Sequence, residues 1–136
     1  MINNLSVVTI WVMDQNEALR FYTEKLGFEI RADFTQGDYR WLTVGLEGQP
    51  DLEFQLAAVK PVGGFSQEEA DQLGTLVQAG KLGLGPWKTD DCQKTYETFK
   101  AKGVEFIQPP TDRPYGIIEA IFKDNSGNIM VLAQDK

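Results

Sequence analysis

Histidine is absent from the chain, and cysteine occurs once, as Cys92. Without imidazole, neither a three-histidine zinc centre nor a two-histidine, one-carboxylate iron centre can be assembled. A lone cysteine excludes an intramolecular disulfide framework. Cys92 follows Asp90-Asp91 at a predicted helix start, where the helix dipole lowers a thiol pKa and the carboxylates oppose it, so a structural or surface thiol is expected. Positive charge is scarce too. Thirteen Lys and Arg against twenty Asp and Glu leave a net charge of −7, which disfavours nucleic acid and anionic membranes as partners. No apolar run approaches the roughly 18 residues of a membrane-spanning helix, and no basic segment leads into an apolar one as in a secretory signal. A cytoplasmic setting without membrane contact is expected. What remains, 136 residues of which 42% are hydrophobic, suffices for one ordinary core.

The chain repeats itself. Val7-Val8-Thr9-Ile10-Trp11-Val12-Met13-Asp14, then Glu17-Ala18-Leu19-Arg20-Phe21-Tyr22, then Lys25-Leu26-Gly27-Phe28 form the first copy. Leu84-Gly85-Pro86-Trp87-Lys88-Thr89-Asp90-Asp91, then Lys94-Thr95-Tyr96-Glu97-Thr98-Phe99, then Lys102-Gly103-Val104 form the second. Asp14 matches Asp91 and Gly27 matches Gly103, but the interval between them is one residue shorter in the second copy.

Each copy reads as βαβββ. Residues 5–13 are apolar or β-branched at nearly every position, as in a strand covered on both faces. Asp14 is a helix N-cap candidate with Glu17 as capping-box partner, and Gly27 suits the helix C-terminus because it accepts positive φ. Strands are predicted over 28–34, 39–44 and 52–59, separated by turns at Gly37-Asp38 and Glu47-Gly48-Gln49-Pro50. In the second copy strands are predicted over 84–89, 103–107, 117–123 and 128–134, with a helix over 91–102 and a rigid loop over 109–116. Between the copies, Ser66 followed by Gln67-Glu68-Glu69 opens a short helix that ends near Gly80. The expected organisation is a single domain over 1–136, with modules of about 5–59 and 82–135 joined by a helical link of about 61–81.

These copies, with the Leu26-Gly27-Phe28 stop of the first and the closing Phe122-Lys123-Asp124-Asn125-Ser126-Gly127-Asn128 of the second, resemble the vicinal oxygen chelate superfamily. This group is also described as the glyoxalase, bleomycin-resistance and extradiol-dioxygenase superfamily. The resemblance implies an α+β fold in which two βαβββ modules pair into a curved, mostly antiparallel sheet cup with the ligand inside. It implies less about activity, because the fold hosts isomerases, dioxygenases, thiol transferases and drug-sequestering proteins. Metal-using members place one ligand on the first and last strand of each module. Carried over by motif, those places fall on Val7, Glu53, Leu84 and Val131, and only Glu53 offers an oxygen. One carboxylate among aliphatics does not make a hard-ion site, so no metal and no cofactor are expected.

Strand alternation assigns faces within such a cup. With Val7, Thr9 and Trp11 inside, Val8, Ile10 and Val12 pack under the helix; Glu53 and Gln55 point in, while Leu52, Phe54 and Leu56 join the core. Leu42 and Val44 belong to the core, which places Trp41 and Thr43 on the cup side. Trp11 stands where glutathione-using relatives keep an arginine, and an indole there favours a flat or apolar ligand over an anionic peptide. Glu53, as a carboxylate among aliphatics, must pair, neutralise or serve a ligand; Lys88 is one candidate partner. Trp87 lies on the face of Thr89 and is expected to be structural. Arg113 and Tyr115, on the 109–116 loop, either form a lip over the cavity or belong to a plain rigid connection.

The favoured function is a metal-independent small-molecule binding protein, with Trp11 and Trp41 stacking a flat or apolar ligand. The alternative is a glyoxalase-like isomerase or lyase using Glu53 as a catalytic general base. A third reading packs the cup shut and leaves no small-molecule role. A homodimer is expected in each case, because free sheet edges are commonly paired off.

Overall fold

A computed structural model describes residues 1–136, which divide into two compact units, Met1–Leu76 and Val77–Lys136. Each unit holds one four-stranded mixed sheet, and the chain has three α-helices. In the first unit the elements are β1 (Val7–Val12), α1 (Gln15–Arg20), β2 (Glu29–Gln36), β3 (Tyr39–Gly45) and β4 (Glu53–Ala58), with strands ordered β1-β4-β3-β2. The β1 strand runs parallel to β4, while β2, β3 and β4 are antiparallel neighbours.

Helix α1 starts where its sequence says it must. Asp14 takes an extended conformation and its side chain accepts the Glu17 N–H at 2.9 Å, satisfying one of the unpaired donors of the first turn. The helix continues through a π-helical turn, Phe21–Lys25, before Gly27 turns the chain at φ +80°. A π turn holds one residue more than an α turn. It absorbs the extra residue that separates Asp14 from Gly27 relative to Asp91 and Gly103. The helix buries Ala18, Phe21 and Tyr22, and Tyr22 stacks edge-on against Phe28 at 5.4 Å, which in turn meets Phe54 at 5.9 Å. Ile10, Val12, Leu42, Val44 and Leu56 complete this core. Each such side chain contributes on the order of 1.5–3 kcal/mol of transfer free energy.

Helix α2 (Gln67–Gln78) closes a full capping box, with Glu69 N–H on Ser66 Oγ at 3.1 Å and Ser66 N–H on Glu69 Oε1 at 2.9 Å. These bonds hold the Glu69 carboxyl below its ordinary pKa.

In the second unit, β5 (Trp87–Lys88), α3 (Cys92–Ala101), β6 (Glu105–Arg113), β7 (Ile117–Lys123) and β8 (Ile129–Asp135) repeat the order as β5-β8-β7-β6, again with the first strand parallel to the last. Asp91 caps α3 by accepting the Lys94 N–H at 2.9 Å, as Asp14 does in the first copy. Phe99, Phe106 and Phe122 interlock beneath α3. Asp124 and Asn128 are buried as turn residues: one Asp124 oxygen accepts the N–H groups of Ser126 and Asn128, both at 2.9 Å.

Two expectations need correction. The predicted loop over 109–116 is mostly strand, since β6 runs on to Arg113 and only 114–116 turn. Pro109 and Pro110 are tolerated because β6 is an edge strand, and the pairing register shifts between Gln108 and Thr111 to pass them. Conversely, the strand predicted over 84–89 shrinks to Trp87–Lys88. Gly85 at φ +150° and Pro86, which has no N–H, cannot extend the ladder.

Candidate functional site

The first unit contains a cavity of about 260 Å³. The parallel register sets Thr9 opposite Gln55 and Trp11 opposite Ala57, so alternation brings all four side chains to one face of the sheet. Strand β3 adds Tyr39, and the segment after β4 adds Lys60 and Phe65. Phe65 meets the Trp11 indole edge-to-face, centroids 5.5 Å apart at 81°, so the apolar wall is a fixed aromatic pair. The small Ala57 leaves the space beside the indole open.

A polar chain crosses this face. Thr9 Oγ1 donates to Gln55 Oε1 at 3.3 Å, and Gln55 Nε2 donates to the Tyr39 hydroxyl at 3.1 Å. Because that hydroxyl accepts from Gln55, its own proton is left to donate elsewhere. Gln15, at the start of α1, ties strands together through the Leu56 carbonyl at 2.8 Å and the Arg40 carbonyl at 3.3 Å.

Two cations line the cavity, and they differ. Arg40 is clamped by both Asp33 oxygens at 2.9 Å and by Asn16 Oδ1 at 2.7 Å. The guanidinium hydrogen bonds hold the Asp33 carboxyl below its ordinary pKa. Lys60 is half-buried, and its ammonium meets one neutral acceptor, the Asp38 carbonyl at 2.7 Å. No carboxylate belongs to the lining.

Of the residues expected inside the cup, Thr9, Trp11 and Gln55 line this cavity. Val7 and Glu53 face each other one step along the ladder and do not. Glu53 is half-buried and accepts the hydroxyl of the fully buried Thr43 at 2.7 Å. Trp41 is half-buried opposite Phe34 on β2 and does not line the cavity, so the indole pair is replaced by Trp11 with Phe65. Lys88 is not the partner of Glu53: its ammonium pairs with Asp135 at 2.6 Å on the surface.

In the second unit, Leu84 and Val131 line a separate recess together with Glu119. Arg113 Nε donates to Glu119 Oε1 at 2.8 Å and its Nη2 to Gln108 Oε1 at 2.8 Å, while the Tyr115 hydroxyl donates to the same Glu119 oxygen at 3.3 Å. Arg113 and Tyr115 are thus occupied in a hairpin network. Sequence reasoning passed over Glu119, although an acid inside Ile117-Ile118-Glu119-Ala120-Ile121-Phe122 is a visible anomaly. It also passed over Tyr39, Lys60 and Phe65.

A divalent metal, which the resemblance implies for the metal-using members, does not fit these residues. The side chains of Val7, Leu84 and Val131 offer no ligating atom, one Glu53 oxygen already accepts the Thr43 hydroxyl, and no three acidic or thiol side chains converge. Trp87, the third indole, is structural: its Nε1 donates to the Leu84 carbonyl at 2.7 Å.

The crystal structure of UcmS2 superposes with a TM-score of 0.93 at 42% identity, covering 99% of this chain and 100% of that one. TnmS3, an antibiotic binding protein from Streptomyces sp. CB03234, gives 0.77 at 26% identity over 99% and 98%. The uncharacterized protein YurT of Bacillus subtilis (strain 168) is 36% identical over 94% of this chain and 96% of its own. The sequence profile of one family spans residues 4–132, from before β1 into β8, and the chain belongs to that family, the Glyoxalase/Bleomycin resistance protein/Dioxygenase superfamily.

Proposed function

We propose that this protein binds a small organic molecule without a metal, holding a flat ligand against the Trp11 indole. The observation that carries the proposal is the cavity itself: about 260 Å³ beside a fixed aromatic pair, with hydrogen-bonding groups aligned along one side. The similarity to TnmS3, an antibiotic binding protein, supports the same reading. A planar bicyclic probe, 2-naphthamide, is expected to quench tryptophan fluorescence equally with and without EDTA. Trp11→Ala should weaken binding by about tenfold or more, and Trp41→Ala should leave it unchanged. Equal affinity in Trp11→Ala would overturn the proposal.

The lyase or isomerase alternative rests on Glu53 alone. That carboxylate is engaged by Thr43 and stands outside the cavity lining, so binding has the stronger support. Turnover of a methylglyoxal–thiol adduct, lost in Glu53→Gln, would reverse the ranking. No helix is long and apolar enough to cross a membrane. A homodimer working in the cytoplasm completes the proposal; the exposed Ile30 and Phe34 on the edge strand β2 favour self-association.

A further inference from the structure

We infer that the ligand of the Trp11 cavity carries an anionic oxygen, a carboxylate or phenolate on its aromatic plane, which Lys60 and Tyr39 receive. The inference rests on the binding reading above and adds the chemical class.

Charge distribution is the first ground. The protein is strongly acidic, with twenty carboxylates against thirteen cations, yet no carboxylate lines this cavity while Lys60 and Arg40 do. An overall charge of −7 cannot steer anions toward the site, so any preference must be local. The second ground is how each cation is occupied. Arg40 is neutralised by the two-pronged contact with Asp33. Lys60 keeps a full charge, because a carbonyl orients its ammonium without cancelling it and leaves two of its three N–H donors uncommitted. The third ground is a second donor nearby in the chain. Lys60 is anchored on the carbonyl of Asp38, and the next residue, Tyr39, turns its hydroxyl proton away from Gln55. Charge-assisted bonds from an ammonium to a carboxylate or phenolate are about twice as strong as neutral ones.

Three probes of one shape test this: 2-naphthoate, 2-naphthamide and 2-naphthylmethylammonium, titrated by tryptophan fluorescence and calorimetry. We expect the naphthoate to bind about tenfold tighter than the amide and the ammonium to bind most weakly. Lys60→Met should cost the naphthoate about tenfold and the amide much less, so that the two probes converge, while an unchanged circular dichroism spectrum and melting temperature report that the fold is intact. Lys60→Arg should retain the preference, and Tyr39→Phe should weaken both oxygen-bearing probes severalfold. A naphthoate preference that survives Lys60→Met overturns the inference, as does equal binding of all three probes, in which case the binding reading still stands. Binding of none of the three removes that reading and the inference with it.

Discussion

Cys92 sits in the first turn of α3, where the dipole of a ten-residue helix favours a thiolate. Its side chain is fully buried, and burial pushes the thiol pKa up, with further upward pressure from the charges of Asp91 and Glu119. Desolvation and local charge thus prevail over the dipole. The folded protein is expected to react with Ellman's reagent at pH 8 far more slowly than a free thiol, and to react fully once unfolded in guanidinium. Rapid labelling of the native protein would contradict the burial. Glu53 illustrates another residue-level outcome. An acid in an apolar strand signals a partner in the sequence, but the partner's identity does not follow from spacing: Thr43 reaches it across a ladder, whereas Lys88 is drawn to Asp135. The same applies to Lys60 and Phe65. They lie past the end of β4, where neither helical nor strand periodicity dictates direction, so their place in the cavity was not legible.

Elements with a clear period were legible. The β7 strand occupies 117–123 as predicted, α2 follows its capping box, and Asp14 and Asp91 both open helices. Proline-bearing stretches misled in both directions. At Pro109-Pro110 an edge position removes the need for two N–H donors, whereas Pro86 beside Gly85 leaves β5 only two residues long. That short strand depends on close approach just before it: a Cβ added at Gly83 would overlap the Ile129 carbonyl oxygen of β8. Gly83→Ala should therefore cost on the order of 2 kcal/mol or more in urea unfolding, while Gly48→Ala, where a Cβ meets nothing within 4 Å, should stay within about 0.5 kcal/mol. Similar midpoints for the two variants would show that β5 is not held this tightly.

Across the whole molecule, the two sheets share one strand order and one parallel contact, yet their faces carry different chemistry. Trp11 stands opposite Ala57, and the matching position, Lys88, stands opposite Ala133. The alanine is kept and the indole is not, so the aromatic wall belongs to one copy. At this scale the acidic surface and the uncovered Ile30 and Phe34 make opposite demands, charge keeping molecules apart and apolar edges drawing them together. Sedimentation velocity should show a dimer that persists as salt is raised, and Ile30→Lys with Phe34→Lys should yield monomer. A wild-type monomer at all concentrations would remove the self-association proposal.

The π-helical turn at Phe21–Lys25 bears on how duplicated halves can drift in length. A helix can swallow a surplus residue within one wide coil, whereas a strand cannot, because slipping by one inverts inside and outside. Excising Thr23 should therefore be survivable, with the Asp14–Gly27 interval brought to that of Asp91–Gly103. Excising Phe54 would send Gln55 toward the greasy interior and strip the hollow of that polar group.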